Sequence, residues 1–267
     1  IRGASFGLRQ SMDTVGAVLG PLLAVGLLWL TTNNINLVLW VAVIHGFIAV
    51  FLLFTFVPEP NSSNTQSARL PISREGLKQL GKPFWRLVFV GSLIALARFS
   101  EAFLILRASD LHLPLTYIPL VLVVMSVIYA LSAYPAGKLS DRMPRHHLLA
   151  LGMILLALAC FALAIAKTYW MLFAGISLWG LHMGFSQGIL ASMVADTANE
   201  TYRGTAFGVF NLVSGFGLLL ASGIAGVLWD HAGPSATFVF GAMVSILSVL
   251  VVLRFSPQQT TSIRHTL

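Results

Sequence analysis

The sequence predicts an all-α membrane protein, a polytopic bundle in which eight helices cross the bilayer. Three observations carry that prediction. The chain is 57% hydrophobic and 9% charged, with a mean hydropathy of +0.86, whereas soluble domains are about a quarter charged. Apolar stretches reach the roughly 20 residues that a helix needs to span the hydrocarbon core. These stretches are continuous, whereas barrel strands alternate over about 10 residues. The net charge of +7 does not point to nucleic acid, because the bases fall at the ends of apolar runs and form no stripe on a soluble fold. Lipid is the implied partner. The single cysteine, Cys160, lies inside an apolar run and is read as packing.

The expected spans are residues 5–30, 35–57, 84–108, 114–136, 148–167, 169–194, 205–229 and 236–255. Bases set their direction, since cytoplasmic loops retain Lys and Arg. Arg2 and Arg9 open the first span; Arg69, Arg74, Lys78, Lys82 and Arg86 separate the second from the third. Lys138, Arg142 and Arg145 lie between the fourth and fifth, Arg203 between the sixth and seventh, and Arg254 and Arg264 after the eighth. The alternate turns hold one Lys and no Arg. Both ends are therefore expected in the cytoplasm, a bacterial inner membrane being the expected setting. Trp29, Trp40, Trp170 and Trp229 fall near outer span ends, as interface anchors do.

Residues 58–83 form the one sizeable linker, whose polar first part reads "EPNSSNTQS". Its second part, "SREGLKQLG", has a cap at Ser73 and a terminal Gly81, as a short helix would, with Leu77 and Leu80 expected on the membrane surface beside Lys78 and Lys82; a plain loop is the alternative. An internal repeat organises the rest. "RGASFG" at 2–7 returns as "RGTAFG" at 203–208, and the same offset pairs Gly16 with Gly217. The first and seventh spans are thus equivalent, and the repeat unit is six helices. The chain divides into 1–57, the last two helices of one half; 58–83, a cytoplasmic linker; and 84–267, a complete second half. Two parallel six-helix halves around a midplane site are a plan used by transporters.

One loop carries a family resemblance. "GKLSDRMPRHHLL" at 137–149 is similar to the Gly-x-Leu-Ala-Asp-Arg-x-Gly-Arg-Arg-x-x-Leu loop of the major facilitator superfamily, with Gly137, Leu139, Asp141, Arg142 and Arg145 matching and Pro144 replacing a glycine. The resemblance implies twelve helices in the complete protein, so that a chain opening at Ile1 is expected to be a fragment lacking about four. It also implies alternating access by a secondary transporter of a small molecule. Gly137, Asp141, Arg142 and Arg145 would then latch the cytoplasmic gate against the start of the first span, around Arg2. "GAVLGP", with Gly16, Gly20 and Pro21, resembles the fifth-helix motif of proton-coupled exporters, and small residues four apart permit close helix contact. Export by proton antiport is favoured over uptake by symport.

Candidate cavity residues are ionisable groups deep in spans, where charge is costly and is retained for function. Arg98 lies roughly 21 Å of helical rise into the third span, and Glu101 follows at i+3, where one helix face would pair them. His45 and His182 sit near mid-span and titrate near neutrality; Gln187 follows His182 on the same helix. Asp13, four residues after Arg9, is read as an ion pair at the rim, and Arg107 with Asp110 as the end of the third span. Neither a cofactor nor a metal is expected, the protein is expected to be monomeric, and an intramembrane enzyme is not expected, neither an H-E-x-x-H nor a G-x-S-x-G site being read in the chain.

Overall fold

A computed structural model describes residues 2–31, 34–56 and 74–254. Among them there is no strand. The helices are α1 (Arg2–Leu30), α2 (Ile35–Phe56), α3 (Arg74–Gln79), α4 (Lys82–Ala97), α5 (Ala102–Asp110), α6 (Pro119–Ser140), α7 (Arg145–Ile165), α8 (Tyr169–Thr197) and α9 (Arg203–Arg254), with 3-10 turns at Leu115–Tyr117 before α6 and Glu200–Tyr202 before α9. The short helix read from "SREGLKQLG" is present as α3, but it does not lay its leucines on a membrane surface: Leu80 is buried in a core with Phe84, and Leu77 packs against the same cluster. Most of the linker, 57–73, lies outside the described residues, as does the tail from 255.

Five helical stretches are long and apolar enough to cross a membrane: Ile35–Phe56, Lys82–Asp110, Leu115–Ser140, Arg145–Ile165 and Arg203–Arg254. The last holds two of the expected spans. Gly233 breaks it with φ 84 and ψ 173, a left-handed conformation open to glycine at no steric cost, and Pro234 opens the returning arm, where a missing N–H does no harm. The loop expected at 230–235 is therefore a hinge of one residue. α1 contributes a shorter apolar stretch, Val15–Leu30. α8 is 29 residues long, but His182, Gln187 and several serines dilute its apolar character. Its start is capped: the Thr168 hydroxyl accepts from the Met171 N–H at 3.4 Å.

The third span is where sequence and structure part. It is not one helix. α4 ends at Ala97, residues 98–101 leave the helical path, and α5 begins at Ala102. The freed backbone is satisfied locally and across the bundle, as apolar surroundings require. The Arg98 N–H donates to the Ile94 carbonyl at 3.1 Å, the Ser100 N–H to the Ser222 hydroxyl of α9 at 3.1 Å, and the Ala102 N–H to the Ser100 hydroxyl at 3.3 Å.

Two apolar cores lie on either side of this break. One gathers Phe99, Phe103, Leu104, Tyr129, Cys160, Trp179 and Phe238; in it the Phe99 ring stands 5.5 Å from both the Trp179 and Phe238 rings. The other gathers Phe84, Leu87, Met153, Val194, Phe210 and Val252. α6 meets α8 closely through glycine: a Cβ on Gly180 would stand 2.5 Å from the Met125 carbonyl oxygen, which no rotamer change can relieve. α1 packs along α6 and α8, while α2 touches the rest chiefly through α1 and has no buried residue.

The tryptophans divide. Trp29, Trp40 and Trp170 are exposed, as interface anchors would be. Trp229 instead packs inward, its ring 5.7 Å from Phe103.

Candidate functional site

The break at 98–101 opens onto a cavity of about 230 Å³ walled by α4, α8 and the outgoing arm of α9. Its polar lining comes from Arg98, His182, Ser186, Gln187, Asn211 and Ser214. Ile94, Leu190, Phe210 and Leu218 supply apolar walls. Three of the residues singled out by depth in the sequence, Arg98, His182 and Gln187, are therefore brought together.

Arg98 meets Gln187. With the amide oxygen facing the guanidinium, Gln187 accepts from both terminal nitrogens of Arg98, Nη2 at 3.2 Å. The expected Arg98–Glu101 ion pair is not made: among the described residues no carboxylate lies within ion-pair distance of Arg98. The i+3 relation presupposes a continuous helix, and the helix breaks between these two residues. Glu101 instead occupies the cap position of α5, where the partial positive charge of a helix N-terminus favours a carboxylate. Arg98, Glu101 and Asp13 all act electrostatically on Tyr129 of α6, so the charges still share one neighbourhood. The side chain of Arg9, the expected partner of Asp13, lies outside the described residues.

His182 is fully buried, and its Nδ1–H donates to the Gly152 carbonyl at 2.9 Å. That bond fixes the tautomer of the neutral ring, leaving a lone pair on Nε2, which has no hydrogen-bond partner among the described residues. His45 is elsewhere. It is exposed on α2 and bonds the Val41 carbonyl of its own helix at 2.9 Å, because α2 turns no residue into the bundle. It does not join the cavity.

The G-x-S-x-G pattern of hydrolases does occur, as "GFSQG" at 184–188. It lies inside α8, with the Ser186 hydroxyl bonded back to the His182 carbonyl at 2.9 Å. A nucleophile elbow needs a strand-to-helix turn, so the spelling here is that of a helix. No cluster of three metal-ligating side chains occurs among the described residues.

The loop 141–144 joins α6 to α7. Gly137 is buried in the last turn of α6, and Pro144 precedes α7 with φ −57 and ψ 121, a comfortable geometry for proline in the family's glycine position. Asp141 ends α6 rather than starting a helix, and Arg145 opens α7. Each charge faces the unfavourable end of its helix dipole, and each is offset by the other: Arg145 Nη2 stands 3.9 Å from Asp141 Oδ1. Arg145 also pairs with Asp196 at the end of α8. Arg142 is exposed. The side chain of Arg2, the expected dock, lies outside the described residues.

Gly16 and Gly20 are exposed, and a Cβ on either would meet nothing within 4 Å. The close packing expected of them, and of Pro21 within the same helix, is not made by the glycines among the described residues.

Arg107 and Asp110 lie at the end of α5, the expected finish of the third span, and Arg107 does more than mark that end. Arg107 is buried: Nε donates to the Leu163 carbonyl at 3.1 Å, Nη2 to the Ala166 carbonyl at 2.7 Å, and Nη1 pairs with Asp110. It caps the orphan carbonyls at the end of α7, and the Ser235 hydroxyl adds a bond to the Ala164 carbonyl at 2.7 Å. No local sequence pattern signals a contact 56 residues away.

An apolar helical bundle of several membrane-length helices, one of them broken, is that of an integral, multi-pass membrane protein. The sequence model of the Major Facilitator Superfamily matches residues 102–265, and the chain belongs to that family. It is 30% identical over 257 residues to an uncharacterised MFS-type transporter of Methanocaldococcus jannaschii, covering 94% of this chain and 63% of the relative. A tetracycline resistance protein, class B, of Escherichia coli is 34% identical over 117 residues, covering 44% of this chain and 29% of its own length. Among solved structures, the fucose:proton symporter FucP of E. coli superposes with a TM-score of 0.54 at 16% identity, over 83% of this chain and 54% of that one. The likeness is one of fold. The chain spans less than two thirds of the length of these relatives. The family is one of transporters and not an enzyme class.

Proposed function

We propose that the protein is a secondary active transporter that moves a small molecule by alternating access, with the cavity at the broken third span as its substrate and coupling site. The observation that carries this is Arg98: a cation at a helix break within an apolar span, lining a cavity with His182 and Gln187. Discontinuous helices at the bilayer midplane are how such carriers expose backbone and charge to a cargo. Arg98, Gln187 and His182 form the binding face, and Glu101 is the carboxylate available for proton exchange. Protons are the proposed coupling ion, and export by antiport the proposed direction, in keeping with a relative named for tetracycline resistance.

In this proposal residues 1–57 belong to one six-helix half and 84–267 form the other, with 58–83 as a cytoplasmic linker. Both ends face the cytoplasm of a bacterial inner membrane. The loop from Gly137 to Arg145 latches the inner gate, and rocking breaks that latch. Substrate-dependent proton movement in proteoliposomes bearing the full protein tests the whole scheme. Counterflow of protons and cargo supports antiport, coflow makes the protein a symporter, and cargo-independent silence with every substrate would leave a sensor built on a transporter fold. Asp141→Asn is expected to impair transport while leaving insertion intact; unimpaired transport removes the latch.

A further inference from the structure

The charge balance of the cavity points to the chemistry of its cargo. Arg98 sits at the meeting point of two apolar cores with no carboxylate in ion-pair contact among the described residues. Its one side-chain partner there is the neutral Gln187 amide. Glu101 and Asp13 share the wider neighbourhood, but neither lines the cavity, where Arg98 is the one charged side chain among the described residues, and Glu101 stands at the α5 terminus, whose dipole already favours its charge. An arginine retained in so apolar a place without a contacting counter-ion is costly, and an arriving anion would remove that cost.

We propose, building on the transport function above, that the cavity takes the carboxylate of a small, partly apolar monoanion, with Arg98 as its counter-ion. A guanidinium presents donors in a planar fork that matches a carboxylate. Turned with its oxygen toward the guanidinium, the Gln187 amide accepts from both terminal nitrogens, and that is the place a carboxylate oxygen would take on displacing it. A monoanion fits better than a dianion, because one cation leaves the second charge of a phosphate unbalanced beside Glu101. Phe210, Ile94, Leu190 and Leu218 receive the apolar body. Asn211, exposed at the α9 wall, offers an amide to a polar substituent.

Binding to the full protein in nanodiscs tests this with three probes: salicylate, its neutral amide salicylamide, and inorganic phosphate. Salicylate is expected to bind at least about tenfold more tightly than salicylamide, a difference of about 1.4 kcal/mol, and phosphate not to compete. Arg98→Lys is expected to keep most of the preference and Arg98→Gln to abolish it. The wild-type comparison stands even if Arg98→Gln fails to fold. Absence of salicylate binding, equal binding of the amide, competition by phosphate, or a preference that survives in folded Arg98→Gln would overturn the proposal. Proton-coupled movement of a neutral or cationic cargo would overturn it too, while leaving the transport function standing.

Discussion

α1 and the outgoing arm of α9 share a sequence motif and differ in their surroundings. Gly217 of α9 faces α4 so closely that a Cβ would stand 3.2 Å from the Ala95 Cβ and 3.3 Å from the Ser92 carbonyl oxygen. Gly16, its counterpart by the repeat, faces nothing within 4 Å. Residues 210–218 of the α9 arm wall the Arg98 cavity, whereas α1 meets its neighbours along α6 and α8 and leaves much of its length exposed. The lesson is that a glycine motif permits close packing without enforcing it. Contact requires a partner helix, and for α9 that partner is α4.

Substitutions can break this contrast in graded steps. Phe210→Ala, which removes a buried ring set against Gly91, is expected to cost about 3–5 kcal/mol, measured as loss of thermal stability in detergent. Gly217→Val should cost about 1–3 kcal/mol by overpacking the α4 contact; equal tolerance of valine at Gly16 and Gly217 would dissolve the distinction. Asp196→Asn, which weakens a partly exposed pair with Arg145, should cost only about 0.2–1 kcal/mol, and less at high salt. Gly16→Ala should change stability by no more than about 1 kcal/mol, and in the favourable direction, because alanine is the better helix former and meets no obstacle. A clear loss there would mean that the glycine has a tight contact after all.

Hydropathy made the helical bundle legible, because length and apolar continuity are properties of the chain alone. The break in the third span was not legible. "ALARFSEAF" contains neither glycine nor proline, and nothing local in it forbids a helix. The break is held by tertiary bonds, such as that from the Ser100 N–H to the Ser222 hydroxyl, and by Phe99 turning into the core. Depth singled out Arg98 and His182, since cost in an apolar medium depends on position along a span, and the structure brings both to one cavity with Gln187. It misdirected at His45, because depth says nothing about which way a helix faces, and α2 is apolar all round. The hinge at Gly233 was spelled in "AGPS", though its tightness was not.

The clasp made by Arg107 has a mechanical corollary. By riveting the short second segment of the interrupted helix to the tip of α7, it denies that segment independent travel. Flexing at the interruption would then be expressed by the longer first rod, Lys82–Ala97, with Arg98 at the knuckle. The counter-ion for the cargo would ride on the joint itself, so that seating a ligand and setting the angle of the rod become a single event.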